Sequence, residues 1–226
     1  MKLTIRKRCF LVLYLKQNKK FNFNFKDHMS FIICGDTPSG KTSFFLRFNN
    51  VFKEGPLSTI GIDKEIKIFI IGENIQKITL WDTPGQERYI SLKSKLYQNK
   101  DGIFLLFDVT WENTFNNLEW LLNEIKVNIK NDQMPLIYLI GNKIDSDKRV
   151  ISKDEAEEYA KSQAMKYFEI SCKYDINNFE VLNLMILEVY KRKYLDSFKK
   201  LMTRYKIKIE SDLMNNNLIL NKYINY

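Results

Sequence analysis

Ile103 to Phe107 and Leu136 to Ile140 are apolar or aromatic at every position. A strand with one wet face alternates apolar with polar residues, so runs without alternation predict strands covered on both faces. Between them Thr114 to Ile129 carries helical spacing, which makes a strand, crossover helix, strand unit. The pattern repeats. Phe31 to Cys34 is a short apolar strand, followed by a helix over Thr42 to Asn49 with Phe44, Phe45, Leu46 and Phe48 as its apolar members. Ile66 to Ile71 and Gln76 to Trp81 bracket a hairpin turn at Gly72-Glu73-Asn74. Ser152 and Glu155 form a capping box opening a helix to Ala164, and Tyr167 to Ile170 is a last strand before a helix from about Phe179. The expected fold is α/β: three layers, a mostly parallel six-stranded sheet with helices on both faces, and ligands at the carboxyl ends of the strands.

Composition narrows the chemistry. Hydrophobic residues make up 45% of the 226, enough for a core and against wholesale disorder. Cys9, Cys34 and Cys172 are too far apart for a CxxC metal clip or dithiol, and a reducing compartment suits them. The single histidine, His28, leaves little material for a Ser/His/Asp triad. The net charge of +9 divides into +7 over residues 1–28, −4 over 29–189 and +6 over 190–226. The basic excess therefore lies in the ends, which points away from nucleic acid and towards solvated extensions or contact with an anionic membrane face. Three regions follow: a flexible basic extension at 1–28, a ligand-binding domain at 29–190, and a basic, partly helical tail at 191–226. Cys9 to Leu15 is far shorter than the roughly 20 residues that span a bilayer, and no small-residue cleavage site follows it.

Gly35-Asp36-Thr37-Pro38-Ser39-Gly40-Lys41-Thr42 fits the phosphate-binding pattern G-x-x-x-x-G-K-[ST] and lies between a predicted strand and helix. Main-chain N–H groups there can face phosphates, Lys41 supplies a charge, and the Thr42 hydroxyl can ligate Mg²⁺. Asn142-Lys143-Ile144-Asp145 follows the second long apolar strand. A carboxylate at Asp145 can accept from the ring N–H and exocyclic amine of guanine, a donor pair adenine lacks; such sites reject the analogue by about 10⁴–10⁵. Ser171-Cys172-Lys173 after the last strand would close the base pocket, with the Lys173 stem over a ring face.

With Trp81-Asp82-Thr83-Pro84-Gly85-Gln86-Glu87-Arg88-Tyr89 and Thr59-Ile60-Gly61-Ile62-Asp63, these segments resemble the motifs of Ras-superfamily small GTPases, nearest the Rab type, in order and at family spacing from about Phe31 to Tyr190. The resemblance implies the P-loop NTPase fold of small GTPases and a GTP/GDP switch in vesicle traffic on the cytoplasmic side of a membrane. It implies that Gly35, Asp36, Thr37, Ser39, Gly40, Lys41 and Thr42 bind phosphates, with Thr59 and Gly85 sensing the γ-phosphate. It places Thr42 and Thr59 on Mg²⁺ directly and Asp82 through water, and gives Gln86 the attacking water. Phe52, Asn142, Lys143, Asp145, Ser171, Cys172 and Lys173 become the base site. Ile60, Gly61, Ile62, Lys64, Trp81, Leu96 and Tyr97 become the effector surface. An exchange factor, a GTPase-activating protein and effectors are the implied partners.

The sequence departs from that family at several points. Pro38 stands where the family has Gly; it has no N–H to donate, so either the loop takes another path or a phosphate contact is lost, at about 1–3 kcal/mol. Thr37 lies near where an activating arginine must fit. Pro84 stiffens the hinge beside Gly85. Lys64 replaces a Phe, and Leu96 stands where a Tyr is usual. No cysteine follows Cys172 and Lys2 follows Met1, so neither prenyl nor myristoyl attachment is encoded. Val189 to Tyr205 carries apolar residues at near-helical spacing between basic ones, either a membrane-surface helix or an extension of the last helix. The alternatives are a pseudo-GTPase scaffold, favoured by Pro38 and Pro84, and a Ran-like transport GTPase, which needs no lipid.

Overall fold

The central strand Gly102–Asp108 is buried at every position, as its unbroken apolar run requires. The structure, a computed structural model, describes residues 12–15, 28–55, 61–71, 74–84, 96–129 and 134–197. The expectations for Thr59, Ile60, Gly85 and Gln86, and for the tail beyond residue 197, lie outside the described residues. In chain order the strands are β1 (Val12–Leu15), β2 (His28–Gly35), β3 (Asp63–Ile71), β4 (Asn74–Asp82), β5 (Gly102–Asp108), β6 (Leu136–Asn142) and β7 (Lys166–Ile170). The helices are α1 (Lys41–Phe48), α2 (Glu112–Asn116), α3 (Leu118–Asn128), α4 (Lys153–Ser162) and α5 (Asn178–Lys193).

The strands form one sheet in the order β1-β3-β4-β2-β5-β6-β7. The pairs from β4 through β7 are parallel, and β3 is antiparallel to β4. All six expected strands are present. The basic N-terminal segment adds a seventh: Val12–Leu15 pairs antiparallel with β3, Val12 opposite Ile71. Such a pairing satisfies main-chain groups that an edge strand leaves open.

Alternation along β2 divides the core. Met29, Phe31 and Ile33 face Phe44, Phe45 and Phe48 of α1 and Val181, Leu182, Met185 and Ile186 of α5. Ile32 and Cys34 face Leu118, Leu121 and Ile125 of α3 and Ala156 and Ala160 of α4. Each buried Phe or Leu contributes about 1.5–3 kcal/mol, so the two helical layers lock the sheet from both sides. Ser152 caps α4 as its sequence predicts, its hydroxyl accepting from Glu155 N–H at 3.1 Å.

One expectation changes. The single helix predicted over Thr114 to Ile129 starts earlier and is interrupted at Asn117, between α2 and α3. Main-chain bonds continue through it, Asn117 N–H to Asn113 O and Leu121 N–H to Asn117 O, both at 3.1 Å. Asn favours local departures from the helix because its amide competes for nearby partners. Here that amide reaches the loop after β2.

Candidate functional site

The carboxyl ends of β2, β4, β5 and β6 bring together the segments singled out by sequence. β2 ends at Gly35 and α1 begins at Lys41, so the intervening loop presents a helix N-terminus to anything seated there. Two glycines are obligatory. A Cβ on Gly35 (φ +150°) would lie 2.3 Å from Leu106 O, and one on Gly40 (φ +90°) would lie 2.2 Å from Asn142 Nδ2. Asp36 organises the loop: its carbonyl accepts from Ser39 N–H at 2.9 Å and from Lys41 Nζ at 3.0 Å. Its carboxylate accepts from Thr37 N–H at 2.7 Å and from Asn117 Nδ2 at 2.6 Å. Lys41 is 6% exposed, its chain folded back along the loop, and Thr37 and Pro38 stand at the exposed tip. Ser39 is fully buried beneath it.

Asp82, at the end of β4 and fully buried, accepts from Thr42 Oγ1 at 2.8 Å. Thr83 Oγ1 donates to Ile33 O at 2.8 Å and fixes the chain just beyond. A hydroxyl and a carboxylate, hard oxygens beside a phosphate-type loop, are donors that suit Mg²⁺. The residues present therefore fit that ion, with Thr42 and Asp82 as the described residues that would hold it.

Of the residues expected at the base site, Lys143 and Cys172 meet through Asn142, which is 1% exposed. Its Nδ2 donates to Ser39 O at 3.0 Å, while its Oδ1 accepts from Lys143 N–H at 2.8 Å and Cys172 N–H at 3.3 Å. Asn142 thus joins the loops after β2, β6 and β7, and acts as a positioning residue. Asp145 Oδ1 accepts from Ser171 Oγ at 2.5 Å, which holds that carboxylate at the mouth of the β6 loop. Lys143, in the left-handed region at φ 67°, forms an ion pair with the buried Asp108. Asp108 Oδ1 accepts from Thr110 N–H at 2.9 Å and its Oγ1 at 2.7 Å.

Cys172 is packed into the core; burial is the main reason its thiol is pushed up to about 12. It is a structural residue with its N–H on Asn142. Lys173 is exposed, its ammonium 5.4 Å from the Tyr174 ring centroid. Phe52 is half-buried against the α1 and α5 core, with the Arg47 guanidinium 4.8 Å from its ring centroid.

Sequence reasoning missed Arg47, Asn117 and Asp108. From α1, Arg47 donates to Cys172 O at 2.6 Å and Lys173 O at 2.7 Å, so the helix that follows the loop after β2 also holds the loop after β7. A cation near a helix C-terminus reads only as a complement to the dipole, and nothing in its spacing names a partner 125 residues away.

On the expected effector surface, Gly61 and Lys64 are exposed and Ile62 and Leu96 half-buried. Trp81 is half-buried and donates its indole N–H to Ser30 Oγ at 3.0 Å. Tyr97 corrects the expectation: it is 4% exposed, inside the core formed with α3 and α4, because its apolar ring gains more from burial than from standing at the surface. Among the described residues no helix is long and apolar enough to cross a membrane.

Comparison with known proteins agrees with this arrangement. The Ras family model matches residues 30–191. The Ras-related protein Rab-1 of Theileria parva is 39% identical over 162 residues, covering 70% of this chain and 71% of that protein. Rab-18-B of Danio rerio is 37% identical over 147 residues, 64% of this chain and 71% of that protein. Rab-3 of Caenorhabditis elegans is 35% identical over 163 residues, 71% of each.

Proposed function

Because the chain belongs to the Ras family of small GTPases, with Rab proteins among its relatives, we propose that it is a Rab-like switch that binds GDP and GTP with Mg²⁺, hydrolyses GTP slowly, and acts in membrane traffic. The observation that carries the reading is Asp145, held by Ser171 beside the loops that Asn142 ties to the phosphate loop. A carboxylate so fixed accepts from the two donors on the guanine edge, and adenine would leave it unpaired.

On this reading Lys41 turns from Asp36 O to the phosphates, and the N–H groups at the start of α1 face the same charge. Thr42 and Thr59 would hold Mg²⁺ directly and Asp82 through water, and the ion would supply positive charge to the phosphate oxygens. Thr59 and Gly85 sense the γ-phosphate, so that its loss releases both segments. Gln86 orients the attacking water, and an activating protein supplies an arginine, worth about 10³–10⁵ in rate in this class. Exchange factor and effectors complete the cycle. The basic residues of 1–28 and 190–226 meet an anionic membrane face on the cytoplasmic side, where Rab-like proteins act; flotation with anionic but not neutral vesicles tests that contact.

Calorimetry with Mg²⁺ tests the core of the proposal. GDP and GTP bind the wild type, ATP does not, and Asp145→Ala removes the preference; equal heats for ATP and GTP would refute it. Single-turnover hydrolysis then separates the switch from a scaffold that merely retains nucleotide, the reading that the exposed Pro38 supports. Gln86→Leu slows a true switch, whereas rates identical to wild type would remove Gln86 from the reaction.

A further inference from the structure

The loop after β7 is held from behind by the start of α5. Asn178, the first residue of that helix, is 4% exposed, and its amide reaches back into the preceding loop. Its Nδ2 donates to Ser171 O at 2.8 Å, with longer bonds of 3.3 Å to Ile176 O and Asp175 Oδ1. Its Oδ1 accepts from the Cys172 thiol at 3.4 Å. Asn177 turns the same way. An asparagine just before a helix ordinarily caps it, yet no side-chain cap bond forms here and Asn177 Nδ2 donates to Glu169 O at 2.9 Å.

This grip falls directly behind the hydroxyl that holds Asp145. Ser171 is fully buried, and its main chain exchanges two bonds with Ile176, at 3.1 and 3.0 Å. Its Oγ accepts from Tyr174 N–H at 3.1 Å while donating to Asp145 Oδ1 at 2.5 Å. Asn178 thus fixes where the hydroxyl stands, and Tyr174 fixes where its proton points. Bonds in such a chain strengthen one another. The aim matters because Asp145 is exposed, and a surface carboxylate turns about its last bond unless one oxygen is held.

We propose that Asn178 is a positioning residue for base discrimination, acting through Ser171 to keep both oxygens of Asp145 turned towards the purine edge. The proposal rests on the guanine-binding reading given above. Guanine offers two donors on that edge, the ring N–H and the exocyclic amine, so it needs both oxygens aligned. Hypoxanthine offers the ring N–H alone and tolerates a rotated carboxylate. Loosening Ser171 therefore harms GDP more than inosine diphosphate (IDP). A residue that merely stabilised the fold would weaken both nucleotides alike.

The test is calorimetry of the full chain with GDP and with IDP in the presence of Mg²⁺. The wild type prefers GDP by about tenfold or more, the loss expected when a charged acceptor keeps one donor of two. Asn178→Ala narrows that preference to about threefold or less, whereas in an Asp145→Ala background the same change leaves the ratio as it was, because no carboxylate remains to be aligned. If Asn178→Ala does not melt cooperatively, Asn178→Ser, which keeps a hydroxyl in the same space, is read in its place and narrows the ratio in the same direction. A preference that survives the substitution, or a ratio that falls equally without Asp145, overturns the proposal and leaves guanine binding standing. A wild type that takes IDP or ADP as readily as GDP overturns the guanine reading, and the proposal with it.

Discussion

The base corner and the phosphate corner of the site are held in different ways. In the base corner side chains from distant segments hold the loops: Asn142 bonds to three main-chain groups, Ser171 holds Asp145, and Arg47 spans from α1 to two carbonyls. In the phosphate corner contacts converge on Asp36, which receives Ser39, Lys41, Thr37 and Asn117. Asn142 and Ser171, both buried, fix the base corner within the chain itself, and Arg47 and Asp145 are held from its rim. A loop centred on one partly exposed residue gains more of its order from what it binds. On the proposed reading, selectivity for the base is set by the folded chain, whereas grip on the phosphates is shared with the ligand.

Removing the central side chain of the base corner tests that difference most severely. Asn142→Ala leaves three main-chain groups without their partner, two of them in buried bonds, and should cost about 2–4 kcal/mol in urea unfolding, with guanine nucleotide affinity falling by at least about a hundredfold. A loss below about 0.5 kcal/mol would mean that the corner is not a network. Ser171→Ala frees Asp145 while leaving its charge, and GDP affinity should fall about tenfold by calorimetry with little change in stability. The phosphate corner should respond more weakly. Asn117→Ala removes one bond to Asp36 at a wet surface, about 0.5–1 kcal/mol, and affects GDP more than guanosine. An equal loss for both would show that the corners are not separable.

The smallest effect concerns Cys172. Burial raises its thiol from an ordinary 9.0 to about 12, so the folded chain keeps the proton that the unfolded chain loses. Stability from this group is full below pH 9 and falls as pH rises towards 12. At pH 9 iodoacetamide should leave Cys172 unmodified in the native protein and label it once urea is added, as peptide mass mapping will show. Labelling without urea would mean that the base corner opens.

The strands were readable because burial on both faces leaves a mark that needs no partner, as in Ile103 to Phe107. The loop motifs stood out because a phosphate- or guanine-binding loop needs particular residues in a fixed order, and the structure brings those segments to the same ends of the strands. The edge strand Val12–Leu15 was not, since a short apolar run between basic stretches reads equally as a tail, and its partner β3 lies more than 50 residues on. Asn117 and Arg47 were hidden for a related reason: each acts through long-range bonds, one from Asn117 and two from Arg47, and helical spacing says nothing about where a polar tip will reach. Tyr97 was misplaced because an aromatic beside a loop reads as surface until the packing around it is known.

Gly40 and Asn142 touch so closely that no side chain fits between the two corners. They share a party wall. A methyl group added at Gly40 would press on the amide that aligns the far loop, so an injury to the polyphosphate end would be felt as confusion between purines.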